Sequence, residues 1–162
     1  MRPLRASDVR ALRDGFASGS IARFTRFAFP RSLASIYGEF GRTRNRKHLQ
    51  RFAILIHGRF AGVCTLREPL FGGRELTIGI FNPKDQGKGV GSYVIRRVCA
   101  FGFRKLKLHR IELGVYTDNL RAQRCYTRCG FKREAVLRKF LYNDGRYRDI
   151  LWMSILREEF MA

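Results

Sequence analysis

The chain has 162 residues, 45% of them hydrophobic, with 14 phenylalanines. This length and apolar content predict one domain over residues 1–162 with a single sizeable core, and they exclude a disordered chain. No run reaches the ~18 uncharged apolar residues of a membrane helix, and no signal-peptide core opens the chain, so we expect a cytoplasmic protein without membrane contact. The 33 Lys and Arg residues against 13 acidic ones give a formal charge of +20, which attracts polyanions and repels small cations.

The first half of the chain predicts two helices and several strands. Residues 2–5 predict a very short strand, and Ser7-Asp8 can cap a helix that ends near residue 18. Pro30 begins a second helix that ends near Phe40. Apolar runs separated by turn residues then predict strands at residues 52–57, 60–67 and 75–81.

The second half alternates helices and strands. Valines and a phenylalanine recur at helical spacing and predict one buried stripe on a long helix: Val90, Val94, Val98 and Phe101. A strand at 109–116, a helix opened by Asn119 and two strands around Asn143-Asp144-Gly145 complete the order βααβββαβαββ. This order predicts an α/β fold of the α+β kind, in which about four helices flank a mixed, mostly antiparallel sheet of six to seven strands.

Alternating glycines between the strand at 75–81 and the long helix form the most informative motif. Gly87, Gly89 and Gly91 let successive backbone N–H groups turn toward one point, and the helix that follows adds unpaired N–H groups. The motif therefore predicts an anion-binding loop. Its G-x-G-x-G spacing is not the dinucleotide fingerprint, and Gly89 stands where a Walker A loop needs Ser or Thr, so both nucleotide-binding classes are excluded. The alternative is a glycine-rich turn without a ligand.

Two motifs in order carry a family resemblance. Gln86-x-x-Gly89-x-Gly91 resembles the pyrophosphate loop of the GNAT superfamily of acetyl-CoA-dependent N-acetyltransferases. About thirty residues later, Asn119, Ala122, Tyr126 and Gly130-Phe131 are similar to the second GNAT motif, and Asn119 can cap a helix that Gly130 ends. The resemblance extends from about Glu75 to Glu159, and the terminal hairpin is similar to the Rim-type and polyamine-acetylating branches.

The resemblance implies acetyl-CoA as the cofactor and a place for it. In GNAT proteins the fourth strand splays from the fifth, and the pantetheine arm lies between them; here the splay would fall at residues 80–82, with backbone groups of Phe81 on the cofactor. The loop would hold the pyrophosphate and Asn119 would bond to the pantetheine. The cofactor-binding residues that the resemblance implies are Phe81, Gln86, Gly87, Lys88, Gly89, Val90, Gly91, Ser92, Asn119 and Tyr126.

The resemblance also implies Tyr126 as the catalytic acid. A phenol near pKa ~10 can hand a proton to a departing thiolate whose conjugate acid titrates near ~8.5. The alternative for Tyr126 is a packed aromatic side chain. A glutamate that some ribosomal-protein acetyltransferases use as base is replaced here by Gly114, so Glu75 is the first candidate base and Glu112 the second; either could instead be an ion-paired carboxylate.

Charge orders the candidate acceptors. The +20 balance favours a protein amino terminus on an acidic or ribosome-associated partner over polyamines or aminoglycosides, which stay as the alternative. A basic RNA-binding module is the alternative of another class, and nucleic acid could also contact an enzyme of this charge. One basic cluster could dock such a partner or be a solvated charge run: Arg42, Arg44, Arg46, Lys47, His48 and Arg51.

Metal binding and assembly complete the expectations. The four cysteines, Cys64, Cys99, Cys125 and Cys129, form no C-x-x-C pair, so no metal site is expected. Oligomeric state stays open, with a dimer among the options.

Overall fold

The computed structural model describes residues 1–17, 49–68, 74–143 and 145–161. Its strands are β1 (Arg2–Pro3), β2 (Leu49–Ile56), β3 (Arg59–Arg67), β4 (Glu75–Ile80), β5 (Arg110–Tyr116), β6 (Lys132–Asn143) and β7 (Arg146–Leu156). Its α-helices are α1 (Val9–Ala17), α2 (Val90–Arg104), α3 (Leu120–Arg128) and α4 (Arg157–Met161), with 3₁₀ turns at Ala6–Asp8 and Pro83–Asp85. The predicted helix from Pro30 to Phe40 lies outside the described residues, as does the basic cluster except for Arg51.

The seven strands form one sheet in the order β1-β2-β3-β4-β5-β7-β6. Neighbours are antiparallel except β4 and β5, which run parallel. The predicted fold class, a mixed and mostly antiparallel sheet with about four helices, is confirmed. No helix in the described parts of the chain is long and apolar enough to cross a membrane.

Strands β2 and β3 form a hairpin between the two predicted apolar runs. His57 and Gly58 have φ of 48° and 77°, so the two turn residues are both left-handed. Such a turn has a twist that matches the right-handed twist of the strands it joins. The hairpin projects beside the glycine loop, and this position matters for the site below.

Several element boundaries differ from the predicted ones, and two of them have a clear local cause. The first helical turn begins at Ala6, because Asp8 reaches back to accept a 2.7 Å bond from the Arg5 N–H while Arg2 pairs with its carboxylate at 2.7 Å. Strand β4 ends at Ile80, one residue early, because the chain turns at Asn82 into a 3₁₀ turn that starts with Pro83, which has no N–H to donate.

Helix α2 covers the face of the sheet that holds the larger core. Val94 and Val98 from the predicted stripe are 2% and 0% exposed, and Val90 and Phe101 pack partly buried at its edges. A smaller cluster lies around Phe81 and includes Val9 and Leu12 from the first helical segment. The sheet is therefore covered on both faces at the end where β4 meets the loop.

A charged cluster ties β5, β6 and β7 together at the opposite edge. The Arg110 guanidinium makes bonds of 2.8 and 2.6 Å to the two carboxylate oxygens of Glu134, and the Ser154 hydroxyl donates to Glu134 at 2.6 Å. The bonds from Arg110 first, and then from Ser154, lower the pKa of Glu134 to about 2. Ionised Glu134 thus stabilises the folded protein.

We expect Glu134→Gln to flatten the acid side of the stability curve. The pKa of Glu134 is lower in the folded than in the unfolded chain, so its contribution is present above pH ~4.3 and is lost as pH falls toward about 2. Because the side chain is 36% exposed, the loss at pH 7 should be at most ~1 kcal/mol. Urea unfolding from pH 7 to pH 2 measures it. Glu158→Gln, on the exposed face of α4, is the matched control, and a Glu134→Gln curve parallel to wild type at every pH would contradict the assignment.

Candidate active site

Strands β4 and β5 lie side by side but pair only where they start. Glu75 is the partner of Glu112, and the Glu112 N–H donates to the Arg74 carbonyl at 2.9 Å. Within the described residues the ladder between these two strands goes no further, so they part toward Ile80 and Tyr116. The expected splay at residues 80–82 therefore opens at the end of β4 that leads into the glycine loop.

The N–H of Phe81 does not face this gap. The Phe81 N–H donates to the Ala61 carbonyl at 2.9 Å, on the β3 side. Because backbone groups of successive strand residues point to opposite sides, those of Ile78 and Ile80 point away from β3 and into the gap. The Ile80 carbonyl is already bonded to the Gln86 side chain at 2.8 Å. The contact of Phe81 backbone groups with the cofactor therefore stays a prediction, and the bond from the Phe81 N–H to Ala61 disfavours it. The Phe81 ring packs edge-on against Phe16, with centroids 5.1 Å apart, in the smaller core cluster.

The glycine loop has the backbone geometry of an anion cradle. Gly87 and Gly89 have φ of 79° and 82°, a conformation that glycine adopts without strain. Gly89 caps α2 without a side-chain bond, and the first N–H to bond back into the helix is that of Tyr93, to the Gly89 carbonyl at 3.0 Å. The N–H groups of residues 90–92 thus lack intrahelical partners at the positive end of the helix dipole. These donors fit a pyrophosphate.

The Gln86 side chain fixes the position of the glycine loop. Its Nε2 donates to the Ile80 carbonyl at 2.8 Å, and its Oε1 accepts from the Arg121 guanidinium on α3. The loop is thereby tied to the end of β4 and to the helix that carries Tyr126. Gln86 positions the cradle, and Arg121, which no motif singled out, is the residue that holds it.

Helix α3 begins and ends as its sequence predicted. The Asn119 Oδ1 caps it by accepting from the Ala122 N–H at 3.2 Å, and Gly130, with φ of 95°, ends it. Gln123, only 7% exposed, donates to the Tyr116 and Thr117 carbonyls at 3.1 and 2.8 Å and locks the helix to the end of β5. Because the Asn119 Oδ1 serves as the cap, any contact of Asn119 with pantetheine would come from its side-chain Nδ2. That contact stays a prediction.

Tyr126 lies on the buried side of α3. Its ring centroid is 6.1 Å from that of Phe131, and the side chain packs partly buried against the main core. Helices α2 and α3 meet where Cys125 Sγ lies 3.3 Å from Ser92 Oγ. The loop, the end of β4 and the Tyr126 helix therefore converge at one end of the sheet, as the motif pair predicted. The acid role of Tyr126 stays a prediction.

The two candidate bases lie at the other end of the splay. Glu75 is 2% exposed, and its carboxylate accepts bonds of 2.9 and 2.6 Å from Arg67. Glu112 pairs with Arg110 at 3.0 Å. Five strand residues of ~3.3 Å each separate Glu75 from Ile80, about 16 Å in all. The structure does not bring Glu75 to the loop, so its role as base stays a prediction that its position disfavours.

An open cleft lies between the β2–β3 hairpin and the loop. Arg59 bridges its rim by pairing with Asp85 at 2.7 Å. The cleft is lined by Ile56, His57, Arg59, Asp85, Lys88 and Val90. Among the described residues, no group of three His, Cys, Asp or Glu side chains is placed to hold a metal ion.

Comparison with known proteins identifies the family. Residues 1–132 match the family described as "Acetyltransferase (GNAT) domain". The spermidine N(1)-acetyltransferase of Vibrio cholerae serotype O1 is 37% identical over 82 residues, which cover 51% of this chain and 47%, or about half, of that protein. The spermidine N(1)-acetyltransferase of Escherichia coli (strain K12) is 26% identical over 167 residues, covering 100% of this chain and 88% of that protein.

A further relative and a solved structure point to the same family. A putative ribosomal N-acetyltransferase of Bacillus subtilis (strain 168) is 27% identical over 107 residues, 65% of this chain and 58% of that protein. The crystal structure of the Vibrio cholerae spermidine N-acetyltransferase in complex with CoA and spermine superposes with a TM-score of 0.90 at 25% identity, covering 99% of this chain and 96% of that one. The family model matches residues 1–132, which is most of the chain. The chain therefore belongs to the GNAT family of acetyltransferases, which confirms the predicted family and, at that level, an acetyl-CoA-dependent enzyme.

Proposed function

We propose that this chain transfers the acetyl group of acetyl-CoA to a primary amine of the polyamine class. The observation that carries the proposal is the superposition, over 99% of the chain, on an enzyme crystallised with CoA and spermine. The full-length similarity to a spermidine acetyltransferase adds to it. Net charge alone ranked a protein amino terminus above polyamines as the acceptor. The similarity to spermidine acetyltransferases supports the reverse ranking.

In this proposal, the chain's main task is to position the two reactants. Bound acetyl-CoA supplies a thioester carbonyl that a neutral amine can attack directly. The N–H groups of residues 90–92 and the glycine backbone would hold the pyrophosphate, and the gap-facing N–H and C=O groups of Ile78 would pair with the pantetheine amides. Fixing both reactants supplies much of the rate acceleration. The Tyr126 phenol would give its proton to the sulfur that leaves.

Most carboxylates of the described residues are already ion-paired with Arg or Lys. They are Asp8, Asp14, Glu68, Glu75, Asp85, Glu112, Asp118, Glu134 and Glu159. A polyamine therefore approaches a protein with a large positive excess and few unneutralised carboxylates. We infer weak, salt-sensitive capture of such an acceptor.

A second candidate acceptor is an amine presented by an acidic partner. Helices α2 and α3 contain no acidic residue, and their exposed faces carry six arginines. These are Arg96, Arg97, Arg104, Arg121, Arg124 and Arg128. Such a face attracts polyanions and would recruit an acidic protein through the same charge that repels a polyamine. The sign of the salt dependence separates the two candidates.

We expect Gly89→Val to lower the affinity for acetyl-CoA at least ~100-fold, the equivalent of two hydrogen bonds to a charged group at ~1.5 kcal/mol each. A valine strains the left-handed backbone and fills the space that the phosphate would occupy. Titration calorimetry measures the affinity. Gly145→Val is the control, because Gly145 has a similar φ of 75° in the β6–β7 turn. Unchanged affinity in a folded Gly89→Val protein would exclude the loop as the cradle.

We expect Tyr126→Phe to lower kcat by ~100-fold or more while changing the acetyl-CoA affinity less than threefold. The variant keeps the packed ring and removes a proton donor that acts only as the thiolate departs. Steady-state kinetics across the pH range measures both constants. Tyr93→Phe, at a side chain that is 61% exposed, is the control. Near wild-type turnover at every pH would leave Tyr126 with a packing role.

We expect spermidine to give at least tenfold higher kcat/KM than peptides with free amino termini. Its apparent KM should fall as salt rises from 50 to 200 mM, because salt screens the repulsion between two cations. An acidic or RNA-bearing acceptor should show the opposite sign, with apparent KM rising about tenfold over the same range. Thiol release measures both series, with a neutral amine as the salt-indifferent control. Preference for an acidic peptide with rising KM would replace the polyamine by the second candidate.

A further inference from the structure

Two thiols and a hydroxyl meet beneath the glycine loop, where α3 packs against the first turn of α2. The Cys125 Sγ lies 3.3 Å from the Ser92 Oγ, and the Cys129 Sγ lies 3.7 Å from the Ser92 carbonyl oxygen. A Cβ added to Gly91 would lie 3.5 Å from the same Cys125 sulfur. The half-buried Cys125 side chain therefore lies directly behind the backbone proposed to hold the pyrophosphate.

Positive charge surrounds the Cys125 sulfur. Ser92 lies in the first turn of α2, where the helix dipole is positive. Arg96 reaches across from α2 to donate to the Arg128 carbonyl at 2.9 Å, which brings two guanidinium groups to the end of α3. A bond from Cys129 first, and then the Ser92 bond and these two arginines, lower the pKa of Cys125 to about 6 despite its partial burial. The same contact with Cys125, followed by burial, raises the pKa of Cys129.

The other two cysteines are internal controls. Cys64 and Cys99 are 0% exposed in the main core, and burial raises the pKa of the Cys99 thiol to about 12 and that of Cys64 further. Thiols in such surroundings are inert, because the thiolate is the nucleophile. The fold thus separates the half-buried Cys125 from two fully buried thiols.

We propose that Cys125 is a covalent modification site for small disulfides, with Cys129 as the residue that positions the Cys125 sulfur. The Cys125 thiolate attacks one sulfur of the disulfide R–S–S–R; a Cys125–S–S–R bond forms, the reagent's S–S bond breaks, and R–S⁻ leaves and takes a proton from solvent. The disulfide is the oxidant, so no other electron acceptor is needed. A thiol reductant reverses the exchange.

Modification at this position would oppose cofactor binding. Little space remains between Cys125 and the loop, because the sulfur contacts the Ser92 hydroxyl at 3.3 Å and even a methyl group added to Gly91 would lie 3.5 Å from it. A group attached to the Cys125 sulfur on the side of the loop would displace the first turn of α2, whose N–H groups are proposed to hold the pyrophosphate. Modification and acetyl-CoA binding should therefore exclude each other.

The test uses the whole chain and the aromatic disulfide dithiobis(nitrobenzoate), with the modified peptide mapped by mass spectrometry. We expect one fast equivalent at Cys125 at pH 6.5, at least tenfold faster than free cysteine, and at least tenfold slowing by saturating CoA. The modified protein should lose acetyl-CoA binding in calorimetry and regain it with dithiothreitol. Cys125→Ser should lose the fast phase and keep its own starting activity in the presence of the reagent.

Cys129→Ala separates positioning from packing. Without the bond from Cys129, the pKa of Cys125 should rise, so the rate of modification should fall at least tenfold at pH 6.5 and recover toward wild type at pH 9. Melting temperature shows whether the variant is folded, and Cys99→Ala is the control at a buried thiol. Modification mapping to another cysteine, a rate no faster than that of free cysteine, or acetyl-CoA binding that survives modification of Cys125 would each overturn the proposal.

Discussion

The parting of β4 from β5 after a single residue pair is the constraint on which the site depends. Backbone N–H and C=O groups inside a sheet require partners, and the backbone groups of Ile78 and the N–H of Ile80 face the gap. An extended ligand with amide groups satisfies them as an added strand would. The loop that follows turns its own N–H groups to the same end of the sheet. The separation of β4 from β5 and the loop after β4 therefore form the two halves of one cofactor site.

Arginine shapes the electrostatics at every level of the structure. Arg67 and Arg110 neutralise the buried carboxylates of β4 and β5, and Arg121 holds the Gln86 side chain beneath the loop. The arginines without acidic neighbours line α2 and α3, where they raise the local potential around the cofactor's phosphates and around Cys125. The same excess of positive charge repels a cationic acceptor. Binding of an anionic cofactor and binding of a cationic acceptor therefore favour opposite surface charges.

Local signals predicted the parts of the site that depend on local geometry. The Gly87 and Gly89 turns, the Asn119 cap and the Gly130 stop follow from backbone rules acting within a few residues. The bond from the Phe81 N–H to Ala61 could not be predicted locally, because the side of β4 that faces β5 is set by pairing with β3. Glu75 was predicted as a base from its residue type. Its ion pair with Arg67 and its place at the paired end of β4 and β5 depend on strand pairing, which the residue type does not reveal. The Ser92, Cys125 and Cys129 contact joins two helices, so no single window of sequence contains it.

The central claim, that the gap and the loop together bind CoA, is tested most directly by amide hydrogen exchange with and without saturating CoA. Exchange reports local opening residue by residue. The account predicts slower exchange at residues 86–92 and at Ile78–Ile80, with β6 unchanged as the internal reference. Bound CoA that leaves both segments unprotected, or that protects only the cleft beside the β2–β3 hairpin, would contradict it.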